Sequence, residues 1–157
     1  MVLVSLVTVD LGCGTYCRGD IGIDIQFWFK NPYDIPELFN SIMGGLNPLC
    51  DKVMSDLNYG LPLRSNSVDV IVARAILEHL LRPYELLKEV KRVLRKGGVL
   101  KLSVPNARVS EADWRDPSHF FSFTVPTIRN LVTAVLKVTK VQLIMNDEEI
   151  YVEAVKW

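Results

Sequence analysis

Short apolar runs alternate with polar, glycine-containing turns along most of this chain. Val2–Val9 is continuous and rich in β-branched side chains, which is typical of a strand buried on both faces. Lys52–Ser55, Val68–Ala73 and Val99–Val104 are similar runs and predict further strands. Because helical segments or turns separate these runs, the pattern predicts an α/β fold with a doubly wound, mostly parallel sheet.

Other segments favour helices. Pro83–Lys96 carries leucine and valine at helical spacing with lysine and arginine opposite, and the Gly97-Gly98 pair is predicted to end it. Thr124 is predicted to cap a helix that begins at Pro126. A shorter helix is predicted over Ile35–Met43, between an early-turn proline and a glycine pair.

The last part of the chain predicts an antiparallel hairpin. Val138–Met145 and Ile150–Trp157 are strand-like runs, and the Asn146-Asp147 pair between them is a turn signal. Ala107–Phe123, which precedes the last helix, is predicted to be a long loop rich in polar and aromatic residues.

Three aspartates stand at the ends of predicted strands. Asp10 closes the first strand, Asp24 the second and Asp56 the third, while Gly12 and Gly14 allow a sharp turn after the first. In a doubly wound sheet, a nucleoside-containing cofactor binds at the carboxyl ends of the strands, where an acid can accept both ribose hydroxyls. Each aspartate alone could equally be a turn or capping acid. The ordered series favours a cofactor site.

The link between the first two predicted strands is unusually short. A parallel crossover normally takes about a dozen residues or more, usually with a helix. Here the link has no helical periodicity. The sequence therefore predicts that the first crossover helix is missing or reduced to a turn.

Composition indicates one ordinary globular domain over residues 1–157. The chain is 49% hydrophobic and 23% charged, and its formal net charge is zero. Net charge therefore gives no indication of nucleic-acid binding. The basic face of Pro83–Lys96 could still contact nucleic acid, although a solvated helix face is the favoured interpretation. No apolar run is long enough to span a bilayer, and Val2–Val9 lacks the basic leading region of a signal peptide, so no membrane partner is expected.

The cysteines predict a reducing compartment and no metal. The chain has three cysteines, an odd number, and they lack the spacing of a disulfide framework. This cysteine usage indicates a cytoplasmic protein. Cys13 and Cys17 have a spacing loosely like that of zinc ligands, but a site would need further ligands. They are therefore expected to be small turn or core residues.

With these features in place, the chain resembles the class I S-adenosylmethionine-dependent methyltransferase family, in particular its small, methyltransferase type 11-like members. The matching pieces are VTVDLGCGT, IGIDI, SDLNYGLPLRSNSVDVIVA, AILEHLLRPYELLKEVKRVLRKGGVLKLSVPN and DPSHFFSFT, in that order. The resemblance implies a Rossmann-like, seven-stranded sheet with helices on both faces and an antiparallel last strand. It also implies S-adenosylmethionine as the cofactor and methyl transfer as the reaction.

The resemblance implies a set of cofactor-binding residues. The glycine turn would line the amino-acid end of the cofactor, Asp24 would hold the ribose, and Asp56 with the backbone of Leu57 would recognise adenine. Ala73 and Arg74 would lie near the methionine portion. The full implied set is Asp10, Gly12, Cys13, Gly14, Asp24, Ile25, Asp56, Leu57, Ala73 and Arg74.

Two departures from the family pattern affect the carboxylate end of the cofactor. Tyr16 stands where the family usually has a third glycine, and the short crossover removes the helix whose N-terminus would donate to an anion. Arg18 could replace that helix as a direct cation, which is a hypothesis to be tested by Arg18→Ala.

His79 and His119 are the candidate general bases. His79 follows Glu78 just after the fourth strand, and His119 lies in the loop after the fifth, where an acceptor would enter. Each could instead brace its own turn or loop. Trp114, Asn106 and Phe120 share the loop of His119; they could shape an acceptor pocket or pack over the sheet edge.

Three functions remain open at this point. The leading one is a methyltransferase acting on an unidentified acceptor, recognised by Gln26–Cys50 and Ala107–Phe123. The second is a non-catalytic S-adenosylmethionine-binding module that acts with a partner subunit. The third is a nicotinamide-dependent oxidoreductase, which is disfavoured because no substrate domain follows. A neighbouring subunit could also cover the pocket, so a homodimer is a further hypothesis.

Overall fold

The computed structural model describes residues 6–14, 17–25, 47 and 49–157. The predicted helix over Ile35–Met43 lies outside these residues, as do Tyr16 and most of the Gln26–Cys50 segment. Positions 2–5 of the predicted first strand also lie outside them.

Seven strands form one sheet in the order β3-β2-β1-β4-β5-β7-β6. Neighbouring strands are parallel except that β7 runs antiparallel to both β5 and β6. This confirms the Rossmann-like, seven-stranded fold that the resemblance implied. The strands are β1 Thr8–Leu11, β2 Ile21–Asp24, β3 Asp51–Met54, β4 Val68–Arg74, β5 Leu94–Pro105, β6 Lys137–Ile144 and β7 Glu149–Val155.

Helices and turns connect these strands. Among the described residues the α-helices are α1 Pro83–Val93, α2 Glu111–Arg115 and α3 Val125–Thr133, and the 3-10 turns are Leu57–Tyr59 and Leu77–His79. The link between β1 and β2 contains no helix in its described part, although the two strands pair in parallel. The short crossover predicted from the sequence is therefore present.

The core lies where α1 covers the sheet. Leu86, Leu87 and Val90 project from one face of α1 and are at most 2% exposed. They belong to one apolar cluster with Ile71 of β4 and Leu100 of β5. Burying an aliphatic side chain of this size contributes about 1.5–3 kcal/mol relative to exposure. The apolar stripe read from the sequence thus holds the strands that carry the site.

The predicted end of the first long helix is wrong by three residues. α1 ends at Val93, and the Gly97-Gly98 pair lies inside β5. Leu94 leaves the helix with φ −60° and ψ 139°. There it pairs with Val68 and is fully buried. Burial of this leucine in the sheet outweighs the glycine stop signal, and Gly97 accommodates the resulting irregularity with a φ of 79°.

Two smaller boundaries also differ. β1 extends to Leu11, one residue beyond the end predicted at Asp10. The predicted loop Ala107–Phe123 contains the short helix α2. The hairpin is confirmed as β6 and β7, and the Asn146-Asp147 pair in its turn has φ values of 55° and 68°. Asparagine and aspartate tolerate this left-handed conformation better than most residues do.

The cysteines differ from their predicted state. Cys17 and Cys50 form a disulfide with Cα atoms 6.5 Å apart, and Cys13 is a buried free thiol. Cys17 is buried as expected of a core residue, but it is bonded to Cys50 and not a free thiol. The cytoplasmic location stays a prediction, and the disulfide counts against it because such bonds persist mainly in oxidising compartments. Within the part of the chain that the structure describes, no helix has the length and apolar composition to cross a membrane.

Candidate functional site

The backbone register brings the carboxyl ends of four strands to one edge of the sheet. Leu11 of β1 pairs with Ile23 of β2 and with Ala73 of β4, while Asp24 at the end of β2 pairs with Met54 of β3. Because these strands are parallel, their ends lie side by side. The structure therefore places the predicted acids of β1 and β2 along this edge, and the third follows β3 by two residues.

The glycine turn after β1 is closed by the acid at the end of β2. The Gly14 amide donates to Asp24 Oδ2 at 2.7 Å, and the Gly12 amide donates to the Ile23 carbonyl at 2.8 Å. Gly12 and Gly14 have φ values of 67° and 57°, in the left-handed region that favours glycine. A Cβ at Gly14 would meet no heavy atom of the described residues within 4 Å, so these residues leave open space beside the Asp24 carboxylate.

Asp10 and Arg18 are buried next to each other behind this turn. Asp10 is 1% exposed and accepts a hydrogen bond from the Arg18 amide at 2.7 Å. Burial raises the pKa of Asp10 to about 7. Burial also lowers the pKa of Arg18, against the influence of the nearby Asp10 charge. Arg74 and Glu149 complete the electrostatic surroundings and approach each other to 3.8 Å.

Asp56 has a visible structural role. Its Oδ1 accepts hydrogen bonds from the backbone amide and the side-chain amide of Asn58, at 2.9 and 3.0 Å. This caps the 3-10 turn in which Leu57 is buried. Asp56 is therefore fixed beside the end of β3, which is where the resemblance places adenine recognition.

The remaining predicted cofactor residues differ in exposure. Ile25 is 56% exposed next to the acid of β2, whereas Ala73 is buried at the end of β4. Cys13 is buried, and burial raises the pKa of its thiol to about 12. The thiol is thus protonated at neutral pH, which excludes a nucleophilic role for it there.

The structure brings the two predicted bases together. The rings of His79 and His119 meet edge to face, with centroids 4.6 Å apart. Ser118 Oγ lies 2.9 Å from Nδ1 of His79 and donates to Asp116 Oδ1. Phe120 donates its amide to the Glu78 carbonyl at 2.8 Å, which holds the loop after α2 against the turn after β4.

Two buried acids beside these histidines were not singled out from the sequence. Glu78 is fully buried and Asp113 is 4% exposed, and no described residue donates a hydrogen bond to either carboxylate. Burial raises the pKa of Glu78 to about 8. The only sequence signal was an acid within the apolar stretch around Leu77–Leu80, which is unusual for a solvated turn.

The other residues of the His119 loop show different environments. Asn106 is buried and donates from Nδ2 to the Asp147 carbonyl at 2.8 Å, so it braces the β6–β7 turn. Trp114 is 64% exposed, with Nε1 donating to the Ala107 carbonyl at 3.1 Å. Phe120 is 59% exposed. The two aromatic rings thus stand at the surface of this edge, while Asn106 does not face an acceptor.

Several basic side chains of the segment Pro83–Lys96 form ion pairs with neighbouring acids. Arg92 pairs with Glu89, with Nε 2.7 Å from Oε1, and Arg95 Nη1 lies 2.6 Å from Asp69 Oδ2. Lys88 is 2.7 Å from Glu85 in the same way. These pairs favour a solvated helix face over a surface for nucleic acid.

Comparison with known proteins agrees with this geometry. Residues 43–102 match the family model of a methyltransferase domain. A curated protein of Mycolicibacterium smegmatis, named a probable S-adenosylmethionine-dependent methyltransferase, is 42% identical over 65 residues. That match covers 39% of this chain and only 25% of the relative's length.

Solved structures share the whole fold at low sequence identity. A chain of the Haloferax volcanii complex that contains the Trm112 methyltransferase activator gives a TM-score of 0.71 at 15% identity, over 95% of this chain and 81% of that one. A SAM-dependent methyltransferase from Aquifex aeolicus gives 0.68 at 20% identity, over 96% and 82%. The chain has the fold of the class I methyltransferases. Together with the matched central segment, this shared fold supports the resemblance to the class I S-adenosylmethionine-dependent methyltransferase family.

Proposed function

We propose that this chain binds S-adenosylmethionine and catalyses methyl transfer to an acceptor that the sequence does not name. The observation that carries the proposal is the glycine turn of β1 held by Asp24 at the carboxyl edge, 2.7 Å from the Gly14 amide to the carboxylate. A carboxylate accepts several hydrogen bonds, so Asp24 can hold both the turn and a ribose hydroxyl. The matched methyltransferase-domain segment supports the same assignment.

The residues present fit such a cofactor. The described residues leave open space at Gly14, Asp24 supplies an acceptor for the ribose, and Arg18 supplies a cation behind the turn. When bound, the cofactor supplies an electrophilic methyl group on a sulfonium. The protein's own share is to align the acceptor and exclude water.

Replacing Asp24 by alanine is the direct test of the ribose site. We expect the affinity for S-adenosylmethionine and S-adenosylhomocysteine to fall about 10- to 150-fold, because a hydrogen bond to a charged group contributes about 1.5–3 kcal/mol. Calorimetric titration of the wild type and the variant measures this. NAD, titrated in parallel, tests the oxidoreductase alternative.

Asp20→Ala is the matched control for this variant. Asp20 Oδ2 also accepts a backbone amide, that of Thr8 at 2.8 Å, but it precedes β2 at the opposite edge of the sheet. We expect its loss to leave cofactor affinity unchanged. Equal affinity in Asp24→Ala and the wild type would show that the ribose site is misplaced, and tight NAD binding without a response to S-adenosylmethionine would reverse the assignment.

Arg18 is proposed to replace the missing crossover helix as the cation for the cofactor carboxylate. Arg18→Ala is expected to weaken S-adenosylmethionine binding about tenfold, since a charged hydrogen bond contributes about 1.5 kcal/mol or more. Arg18→Lys should retain most of the affinity because it keeps the charge. Calorimetry on both variants, with melting temperatures recorded alongside, separates binding from stability. Unchanged affinity in Arg18→Ala would exclude the direct contact.

A second candidate is a cofactor-binding module that works with a partner subunit. The shortened first crossover supports it, as does the fold similarity to a chain from a complex with a methyltransferase activator. His79 and His119 would then be structural rather than bases for an acceptor hydroxyl or amine. Binding without turnover on nucleic acid, protein, glycan and small-molecule panels would favour the module, whereas turnover by the chain alone would exclude it.

A further inference from the structure

A cluster of potential metal ligands lies beyond the carboxyl ends of β4 and β5, apart from the glycine turn. Glu78 and His79 belong to the 3-10 turn after β4, and His119 lies in the loop after α2. One ligand atom from each residue lies within 4.8 Å of those from the other two. Residues distant in sequence thus present two imidazoles and a carboxylate to one point.

The carboxylate in this cluster lacks a partner. Glu78 is fully buried, and neither of its oxygens has a hydrogen-bond partner among the described residues. A buried carboxyl group without a hydrogen-bond partner is unfavourable whether it is ionised or protonated. A cation at this point would satisfy the group.

The surroundings of His119 are those of an oriented metal ligand. Its side chain is 6% exposed, with Nδ1 3.7 Å from Asp113 Oδ1 and Nε2 3.7 Å from Asp116 Oδ2. Imidazoles that bind metals usually direct their second nitrogen at a carboxylate, which fixes the tautomer and the ring plane. Each nitrogen of His119 therefore has a carboxylate nearby that could orient the ring once the other nitrogen binds a metal.

His79 is oriented through Ser118. The Ser118 hydroxyl donates to Asp116 Oδ1, so its oxygen is left to accept from Nδ1 of His79 at 2.9 Å. A proton on Nδ1 places the lone pair on Nε2, which is the state in which a histidine binds a metal. The hydrogen-bond chain from Asp116 to His79 thus prepares the second imidazole.

We propose that Glu78, His79 and His119 bind a divalent transition-metal ion of the zinc type. Two histidines and one glutamate form a ligand set known from catalytic zinc sites, where a fourth position stays open. Asp113 and Asp116 each approach a ring nitrogen of His119 to 3.7 Å, so further carboxyl groups surround the proposed ligands. No metal was expected from the cysteine spacing, and no cysteine contributes here.

Metal binding requires only a small contraction of the cluster. Tetrahedral zinc with bonds of about 2.0–2.1 Å places its ligands about 3.4 Å apart. The ligand atoms, now up to 4.8 Å apart, would draw together by about 1.5 Å at most.

The test is a titration of the full chain, stripped with a chelator, with Zn²⁺ by calorimetry and with Co²⁺ by visible absorption. We expect one ion per chain and d–d bands of a tetrahedral site. Glu78→Gln and His119→Ala should each weaken Zn²⁺ binding at least about 100-fold, and Asp113→Asn about 10- to 100-fold. Glu148→Gln, which changes an exposed acid outside the cluster, should leave Zn²⁺ affinity unchanged.

A readout without variants keeps the proposal testable if a substitution impairs folding. The chain has only two histidines. In NMR spectra of the wild type, Co²⁺ should therefore shift or broaden the imidazole nitrogen resonances of both. Absence of binding, equal binding in Glu78→Gln and the wild type, or unaffected imidazole signals would overturn the proposal. S-Adenosylmethionine binding, titrated on the same metal-free samples, shows separately whether the cofactor assignment holds.

Discussion

Gly12→Ala is expected to lower the stability of the protein by about 2–5 kcal/mol. A left-handed conformation costs a non-glycine residue about 1–2 kcal/mol, and Gly12 has a φ of 67°. The new Cβ would also lie 2.7 Å from Cδ1 and 3.0 Å from Cβ of Ile76, and overpacking of this kind costs about 1–3 kcal/mol. Thermal unfolding should show a decrease in melting temperature of roughly 5–20 °C.

Gly14→Ala separates the two causes. Gly14 has a similar φ of 57°, but a Cβ there meets no heavy atom within 4 Å in the part of the chain that the structure describes. Its expected cost is the backbone strain alone, about 1–2 kcal/mol. Ile76→Ala in the Gly12→Ala background should restore part of the loss, because it removes the atoms nearest to the new Cβ. Equal destabilisation by the two glycine variants would show that the close contact with Ile76 does not contribute to the loss of stability.

Hydrophobic pattern alone predicted the sheet and its main helix. Strands such as Val68–Arg74, and the apolar face of α1, follow directly from which side chains must leave water. The end of α1 could not be predicted in this way, since it depends on the burial of Leu94 against a strand distant in sequence. A tertiary contact of this kind determines the end of the helix in place of a local stop signal such as the Gly97-Gly98 pair.

In the candidate site too, some positions follow from the sequence and others depend on tertiary contacts. Asp10, Gly12 and Asp24 could be placed on one edge from the sequence, because parallel strands bring their carboxyl ends together whatever the details of packing. Glu78 and Asp113 could not, since their burial depends on how the loop after α2 folds over the turn after β4. The spacing of residues along the chain does not predict the contact between this loop and this turn. For the same reason, the sequence did not predict that His79 and His119 lie together.

The buried Asp10 should make the protein less stable at neutral pH than in mild acid. Burial raises the pKa of Asp10 from 3.8 to about 7, so between these values the folded state holds a proton that the unfolded state releases. Stability from this group is complete below pH 3.8 and is lost as the pH rises through 7. A difference of about 3 pKa units corresponds to about 4 kcal/mol.

Asp10→Asn removes this titration. The asparagine can still accept the Arg18 amide, and any cost of losing the carboxylate beside the guanidinium is the same at each pH. The melting temperature of the variant relative to the wild type should therefore increase between pH 4 and pH 8, by roughly 10 °C. A constant difference across this range would show that Asp10 is ionised at all of these pH values.

Asp69→Asn is the control of opposite sign. The Val7 amide and the Arg95 guanidinium hydrogen-bond to Asp69 and lower its pKa, so its stabilisation is present above the ordinary pKa of aspartate and disappears as the pH falls. This variant should melt below the wild type at pH 7 and approach it in acid. Opposite trends in the two variants would assign the pH dependence to the individual carboxylates, because a general effect of net charge would move both in the same direction.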